Sequence, residues 1–240
     1  MIKINGLTKK YKDCIAVNNL SLEIRDNELF ALLGVNGAGK TTTIKMLSCI
    51  TAPTEGDATV NGFSILKEQE EIKNIIGLSP QETSIARNLT VKENLMFYGG
   101  IFGLEKDELK KRVKEIIDKF KLNKYEKKYA RNLSGGTMRK LSIGIALISK
   151  PEVLFLDEPT LGLDVISRHD LWDIIQELKK DTTIILTTHY LEEAEALADR
   201  IGIMSEGSLI ELGTAAELIE KAKASNFEQA FITLVKEKNA

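Results

Sequence analysis

The sequence predicts an α/β fold with a buried, mostly parallel sheet, because short apolar runs alternate with helical patterns along the chain. The runs Leu29–Leu33 and Val153–Leu156 are apolar at every residue, as strands covered on both faces are. Lys106–Lys119 has the clearest helical pattern, because its apolar residues fall on one stripe. The alternation of these two patterns decides the fold class.

The first two predicted strands lie on either side of a short turn. Leu20–Ile24 alternates apolar and polar residues, and Asp26-Asn27 predicts the turn that leads from it into Leu29–Leu33. Later apolar runs predict five more strands: Ala58–Val60, Ile75–Leu78, Val153–Leu156, Thr183–Thr187 and Ile201–Met204. Helices are predicted at Lys40–Ile50, Lys106–Lys119, Leu141–Ile148 and, as a packing helix, Phe227–Lys238.

Composition narrows the class of protein. The 240 residues include 33 Lys and Arg against 35 Asp and Glu, and a net charge of −2 creates no global attraction to nucleic acid or anionic lipid. No apolar run approaches the roughly 20 residues that cross a bilayer, and the N-terminus does not resemble a signal peptide. Cys14 and Cys49 have no metal-ligand spacing. We therefore expect a soluble, reduced, cytosolic domain.

The segment Lys106–Arg131 is rich in basic residues, unlike the chain as a whole, in which acidic and basic residues nearly balance. We expect a solvated surface there, since most charge runs are solvated, with contact to lipid headgroups as the alternative.

A phosphate-binding loop follows Leu29–Leu33. Residues 34–41 match the pattern G-x-x-x-x-G-K-[ST], in which glycines let the backbone approach phosphates and a helix N-terminus binds the anion. Lys40 is expected to reach the β- and γ-phosphates and the Thr41 hydroxyl to bind Mg²⁺. This motif predicts a nucleoside triphosphate site, whose candidate residues here are Gly34, Asn36, Gly37, Ala38, Gly39, Lys40, Thr41 and Thr42.

A second motif supplies two carboxylates. Val153–Leu156 ends in Asp157, as a Walker B strand does, and Asp157 is expected to hold Mg²⁺ at the carboxyl end of the sheet. Glu158 follows directly and cannot face the same way as Asp157. It is therefore predicted to orient or deprotonate the attacking water.

Residues 133–136, Leu-Ser-Gly-Gly, form a second anion-binding helix start before the Walker B strand. The run resembles the signature of the ATP-binding cassette (ABC) ATPases. The resemblance implies that each ATP is held between the phosphate loop of one subunit and the signature of the other. Ser134, Gly135 and Gly136 are then candidate contacts to the partner's ATP.

The resemblance covers nearly the whole chain and assigns further candidates. Tyr11 matches the aromatic that stacks on adenine, and Val17 is an expected apolar contact to the nucleoside. Gln81 matches the glutamine that senses Mg²⁺, Asp164 the D-loop that contacts the opposite subunit, and His189 the histidine that contacts the γ-phosphate. The catalytic candidates are thus Glu158, His189 and Gln81, and the metal candidates are Thr41, Gln81 and Asp157.

The resemblance also implies a P-loop NTPase architecture for the whole chain. It consists of a mostly parallel core sheet, an N-terminal antiparallel β-subdomain and an inserted α-helical subdomain. We expect the core and β-subdomain at residues 1–80 and 150–215, the helical subdomain at 82–148 and a helical tail at 215–240, within one domain. The apolar residues of Leu95–Tyr98, with Ile101 and Phe102, are expected in the core of the helical subdomain, or alternatively in a groove that docks a membrane subunit.

Two positions depart from the family pattern. Thr137 stands where relatives often carry Gln or Met, and Val165 stands where many carry Pro. Neither change removes a motif residue, so we expect hydrolysis to persist, with effects on its rate and on dimer affinity.

Function follows from this resemblance. It implies an ATP-binding and ATP-hydrolysing subunit, similar to those of ABC-2-type and multidrug exporters, that uses ATP and Mg²⁺ and dimerises head to tail. Transmembrane subunits are expected on separate chains, no nucleic-acid partner is expected, and the subunit would lie on the cytoplasmic face of the membrane. The alternatives are a soluble ABC ATPase that acts on ribosomes or DNA, and a non-hydrolysing regulatory cassette.

Overall fold

In the computed structural model, which describes residues 1–238, the strands form two sheets of opposite type. In chain order the strands are β1 (Ile2–Tyr11), β2 (Cys14–Ile24), β3 (Leu29–Leu33), β4 (Glu55–Val60), β5 (Phe63–Ser64), β6 (Ile76–Ser79), β7 (Val153–Asp157), β8 (Thr183–Thr188), β9 (Arg200–Ser205) and β10 (Ser208–Gly213). One sheet, in the order β2-β1-β4-β5, is antiparallel. The other, in the order β10-β9-β3-β8-β7-β6, is parallel except for β10.

The helices pack around the parallel sheet, and several of them come between β6 and β7 in the sequence. They are α1 (Lys40–Leu47), α2 (Gln69–Ile75), α3 (Val91–Ile101), α4 (Lys106–Lys119), α5 (Gly135–Ala146), α6 (Val165–Leu178), α7 (Leu191–Leu197), α8 (Ala215–Lys221) and α9 (Phe227–Lys238). Between these two strands in the sequence, helix α4 buries its apolar stripe. Helix α5 packs closely on α4, because a side chain at Gly144 of α5 would crowd Ile116 of α4. The predicted fold class is therefore confirmed. No helix within residues 1–238 is long and apolar enough to cross a membrane.

The parallel sheet gathers the predicted motifs at one edge. β3, β7 and β8 are buried at every residue. Their register pairs Leu33 with Thr188 and Asp157 with Thr187, so these strands end side by side. The segments that follow them meet at the carboxyl edge of the sheet, where α/β proteins bind ligands.

Several predicted elements need correction. Asp26-Asn27 does form a turn, but the strands on either side of it belong to different sheets, so they do not pair as a hairpin. The first helix ends at Leu47 rather than Ile50, because Cys49 takes a positive φ of 58° that ends the turn. The helix predicted at Leu141–Ile148 begins earlier, at Gly135, because the Ser134 side chain caps it. β1 was missed because bulges interrupt its alternation.

The packing helix predicted at Phe227–Lys238 is confirmed as α9, which buries Phe227, Ala230 and Leu234. Residues 239 and 240 of the predicted tail lie outside the described residues.

A buried ion pair joins β9 to the residue before β3, and its loss is expected to destabilise the core. The Arg200 guanidinium donates to both carboxylate oxygens of Glu28 at 2.6 and 3.0 Å, and Glu28 is 5% exposed. Arg200→Met leaves that carboxylate without its cation and should lower the free energy of unfolding by about 3 kcal/mol. Urea denaturation measures the loss. Lys10→Met removes the exposed Lys10–Glu55 pair and should cost less than about 1 kcal/mol, so equal losses would contradict the expectation.

Candidate functional site

The loop between β3 and α1 is shaped by glycines. Gly37 and Gly39 have φ values of 84° and 101°, in the region that favours glycine. A side chain at Gly39 would also overlap the carbonyl oxygen of Ala16. Lys40 opens α1, and its buried ammonium donates to the carbonyl oxygens of Gly34 (2.7 Å) and Val35 (3.2 Å). The loop therefore wraps around the lysine that the sequence assigned to the phosphates.

Asp157 meets two hydroxyl groups at the end of β7. Its Oδ1 accepts hydrogen bonds from Thr41 Oγ1 at 2.9 Å and from Thr187 Oγ1 at 2.6 Å. Among the described residues no group of three or more His, Cys, Asp and Glu is placed to hold a metal. One carboxylate and one hydroxyl nevertheless fit Mg²⁺, because this ion takes hard oxygen ligands and completes its shell with phosphates and water.

Glu158 lies between a lysine and a histidine. Its Oε1 is 3.4 Å from Lys40 Nζ, and its Oε2 is 2.7 Å from His189 Nδ1. The residue has a φ of 49° and donates its N–H to Thr187 Oγ1 at 3.0 Å. Such a conformation is uncommon for a residue with a side chain and recurs at functional sites. The backbone therefore aims Glu158 away from Asp157, toward the loop and the histidine.

Lys40, Thr41, Glu158 and His189 line one cleft of about 510 Å³, whereas Asp157 is bonded to Thr41 but does not itself line it. The sequence-predicted residues among its walls are Tyr11, Asn36, Gly37, Ala38, Gly39, Lys40, Thr41, Thr42, Gln81, Glu158 and His189. Tyr11 is 45% exposed at the mouth, with Lys9 Nζ 5.0 Å from its ring centre. The cleft thus brings together the phosphate-binding loop, the Glu158 carboxylate, Gln81 and Tyr11. Their roles stay predictions.

Two predicted nucleotide contacts lie elsewhere. Val17 is fully buried beneath Gly39, and Ala16 faces the cleft instead, because successive residues of a strand point to opposite sides. Gly34 does not line the cleft. It packs against the backbone of Met204, where a side chain would overlap the carbonyl oxygen, and offers its own carbonyl to Lys40.

The signature residues lie apart from this cleft. Ser134 and Gly136 line a second cavity of about 530 Å³, together with Lys124 and Lys140. Ser134 caps α5, and its Oγ is 2.9 Å from the Thr137 hydroxyl. Gly135 opens α5 with open space around its Cα. The phosphate loop and the signature therefore lie in two separate cavities of the chain.

Asp164 also lies outside the cleft. It caps α6 by accepting hydrogen bonds from Ser167 N and Oγ, at 2.9 and 2.7 Å, and these bonds lower the pKa of its exposed carboxyl. In this chain it accordingly acts as a helix cap.

Thr187 is a site residue that sequence reasoning missed. Its fully buried hydroxyl donates to Asp157 and accepts from the Glu158 N–H, so it holds both carboxylates in place. The polar pair Thr187-Thr188 directly after the apolar run Ile184–Leu186 is the signal that could have identified it.

The comparisons agree with this geometry. Residues 17–161 match the family model described as ABC transporter. The chain is 39% identical over 238 residues to the linearmycin resistance ATP-binding protein LnrL of Bacillus subtilis (strain 168), covering 99% of this chain and 76% of that protein. It is 44% identical over 240 residues to the human phospholipid-transporting ATPase ABCA3, covering 98% of this chain but only 14% of that much longer protein.

Solved structures show the same architecture. An ATP-binding subunit of an ABC transporter superposes with a TM-score of 0.87 at 26% identity, covering 98% of this chain and 99% of that one. A dimeric bacterial ABC transporter cassette gives a TM-score of 0.81 at 25% identity, covering 89% of this chain and 98% of that one.

Proposed function

Because this chain belongs to the ABC transporter family and is an ATP-binding ATP hydrolase, we propose that it drives export through transmembrane subunits carried on separate chains. The observation that carries the proposal is the chain of contacts Lys40–Glu158–His189 in a cleft beside Asp157. Such a cleft can bind a triphosphate and position water. The match to LnrL, which is named as a resistance ATP-binding protein, supports export.

The residues divide the chemistry of hydrolysis. Lys40 and the backbone N–H groups of the loop neutralise the phosphates, and Tyr11 stacks on the base. Mg²⁺, when bound, supplies further positive charge to the phosphates and would be held by Thr41 and Asp157, with Gln81 nearby. Glu158 orients the attacking water, and His189 keeps the Glu158 carboxylate in place through its 2.7 Å contact.

Dimerisation would complete each ATP site. Ser134 and Gly136 face a cavity separate from the one that contains Lys40, so they are free to serve a second subunit. The dimeric cassette among the structural neighbours supports this arrangement. We therefore propose a head-to-tail dimer, with a second copy or a related cassette, at the cytoplasmic face of a membrane.

An apolar face on the helical subdomain supports the membrane partner. Phe97, Ile101 and Phe102 are 51%, 63% and 47% exposed at the C-terminal end of α3, whereas Leu95 is fully buried. The expectation of subdomain core thus fits Leu95 but not these three residues. Exposed aromatic and aliphatic side chains at helical spacing suit a helix laid against them.

Charging this face is expected to uncouple the subunit from its membrane partner. The double variant Phe97→Glu, Ile101→Glu should lose recovery with any membrane protein from detergent-solubilised native membranes, since charges replace the central apolar contacts, while its own ATP hydrolysis stays within about twofold. Ile232→Glu is the control, because Ile232 is 43% exposed on the distant α9. Unchanged recovery of the double variant would contradict the docking face, and recovery of the wild type with ribosomes or DNA would favour a soluble ABC ATPase.

A further inference from the structure

The backbone that carries Gln81 is held by an arginine from another element. Arg139 of α5 donates to the carbonyl oxygens of Pro80 and Gln81, each at 2.7 Å. Its side chain is 5% exposed, and burial lowers its pKa against the opposing influence of Asp157 and Glu193. A buried guanidinium is costly to desolvate unless its donors are satisfied. The two hydrogen bonds therefore hold the Arg139 side chain and the Pro80–Gln81 backbone in place relative to each other.

Two further contacts join α5 to β6, the strand that precedes Gln81. The Ser142 and Ser79 hydroxyls are 3.0 Å apart and buried. A side chain at Gly77 would overlap the carbonyl oxygen of Ala146, so α5 lies directly on β6 there.

The spacing of these contacts makes the pairing rigid. Positions 139, 142 and 146 share one face of a helix, positions 77 and 79 share one face of β6, and Pro80 and Gln81 follow directly after that strand. Helix α5 therefore runs antiparallel to β6 and is joined to it at three points. The helix and the segment that carries Gln81 cannot shift separately without breaking buried contacts.

Helix α5 also begins at the signature. Ser134 caps its first turn, and Arg139 follows one turn later in the same unbroken helix. One end of α5 thus places Ser134 in the second cavity, while Arg139 in its next turn holds the backbone of Gln81, which lines the cleft of Lys40. A displacement at the signature reaches Gln81 through three to five residues of helix.

We propose that Arg139 is a positioning residue that couples the two ATP sites of the dimer. When the partner's ATP engages the signature, it holds the first turn of α5, and Arg139 holds the Pro80–Gln81 backbone with that turn, so Gln81 is kept in place for hydrolysis of this subunit's own ATP. The inference rests on the proposed dimer, because coupling needs a signature that faces the partner's ATP. Arg139 itself touches neither nucleotide.

Replacing the arginine tests this coupling. Arg139→Met keeps an unbranched side chain and removes both hydrogen bonds, whereas Arg139→Lys keeps the charge without the two-pronged geometry. The wild type should hydrolyse ATP with a Hill coefficient approaching the limit of about 2 for two sites, and Arg139→Met should bring it to about 1. Its kcat should fall at least about tenfold through misplacement of Gln81, with Arg139→Lys intermediate. The affinity of the single subunit for ATP, measured by calorimetry, should not change.

The control is Arg112→Met. Arg112 of α4 also donates to a backbone carbonyl at 2.7 Å, that of Leu147, but touches no motif. It should match the loss of thermal stability of Arg139→Met while keeping the Hill coefficient. If Arg139→Met does not fold, Arg139→Lys is compared with Arg112→Lys in the same way.

An undiminished Hill coefficient in the Arg139 variants, or an equal fall in the Arg112 variants, would overturn the coupling. A wild type that dimerises with ATP yet shows a Hill coefficient of about 1 would also overturn it and leave the proposed function standing. Failure to dimerise with ATP would instead remove the proposed function itself.

Discussion

Glu158→Gln is expected to bind ATP, to stop hydrolysing it and to accumulate as a dimer. The amide has the same shape, so Lys40, at hydrogen-bond distance from its own loop, and the phosphate contacts remain. The carboxylate that orients water is gone, and general-base catalysis is typically worth 10²–10⁴-fold, so kcat should fall by about a thousandfold. Loss of a negative charge 3.4 Å from Lys40 Nζ also favours an anionic ligand. ATP therefore holds the subunits together without being consumed.

Sizing with and without ATP measures this outcome, alongside phosphate release. Glu192→Gln is the matched control: it removes a carboxylate from α7 whose side chain is 83% exposed, and its activity should stay within about twofold of the wild type. A Glu158→Gln protein that binds ATP but stays monomeric would contradict the head-to-tail dimer. Hydrolysis near the wild-type rate would contradict the role of Glu158.

The local motifs were predictable from the sequence because their chemistry resides in consecutive residues. Residues 34–41 need only a preceding strand and a following helix, and both are present. Asp157 and Glu158 needed only the end of an apolar strand. Register then brought them together, since parallel neighbours end at the same edge.

Contacts between distant segments were not predictable in the same way. Arg139 meets carbonyls 58 and 59 residues away, and carbonyl acceptors have no sequence signature. Val17 is the apolar residue expected beside the nucleoside, and the alternation of β2 turns Ala16 toward the cleft and buries Val17. The pairing of β1 was hidden by its bulges. In each case the deciding fact is which side of an element a residue faces.

Gly39→Ala is expected to destroy the phosphate loop, and its comparison with Gly37→Ala isolates the reason. Both glycines have positive φ, so either alanine carries a conformational cost of about 1–3 kcal/mol. Only at position 39 would the new methyl group also overlap a backbone atom, the Ala16 carbonyl oxygen, which β2 holds in place; nothing lies within 4 Å at position 37. The loop must therefore move away from β2 in Gly39→Ala. Its backbone N–H groups then no longer converge on one phosphate.

Two measurements separate the cost of the positive φ from the cost of steric overlap with the Ala16 carbonyl oxygen. Without nucleotide, Gly39→Ala should lower the free energy of unfolding by about 2 kcal/mol more than Gly37→Ala, the typical cost of overpacking. ATP affinity should fall by about a hundredfold in Gly39→Ala, because an imperfect cradle forfeits charge-assisted hydrogen bonds. A methyl at position 37 can meet only the phosphates, so in the absence of ATP Gly37→Ala should lose only the conformational cost of its positive φ, even where it also weakens ATP binding. Equal unfolding losses in the two variants would mean that backbone conformation alone, and not the approach of β2, shapes this loop.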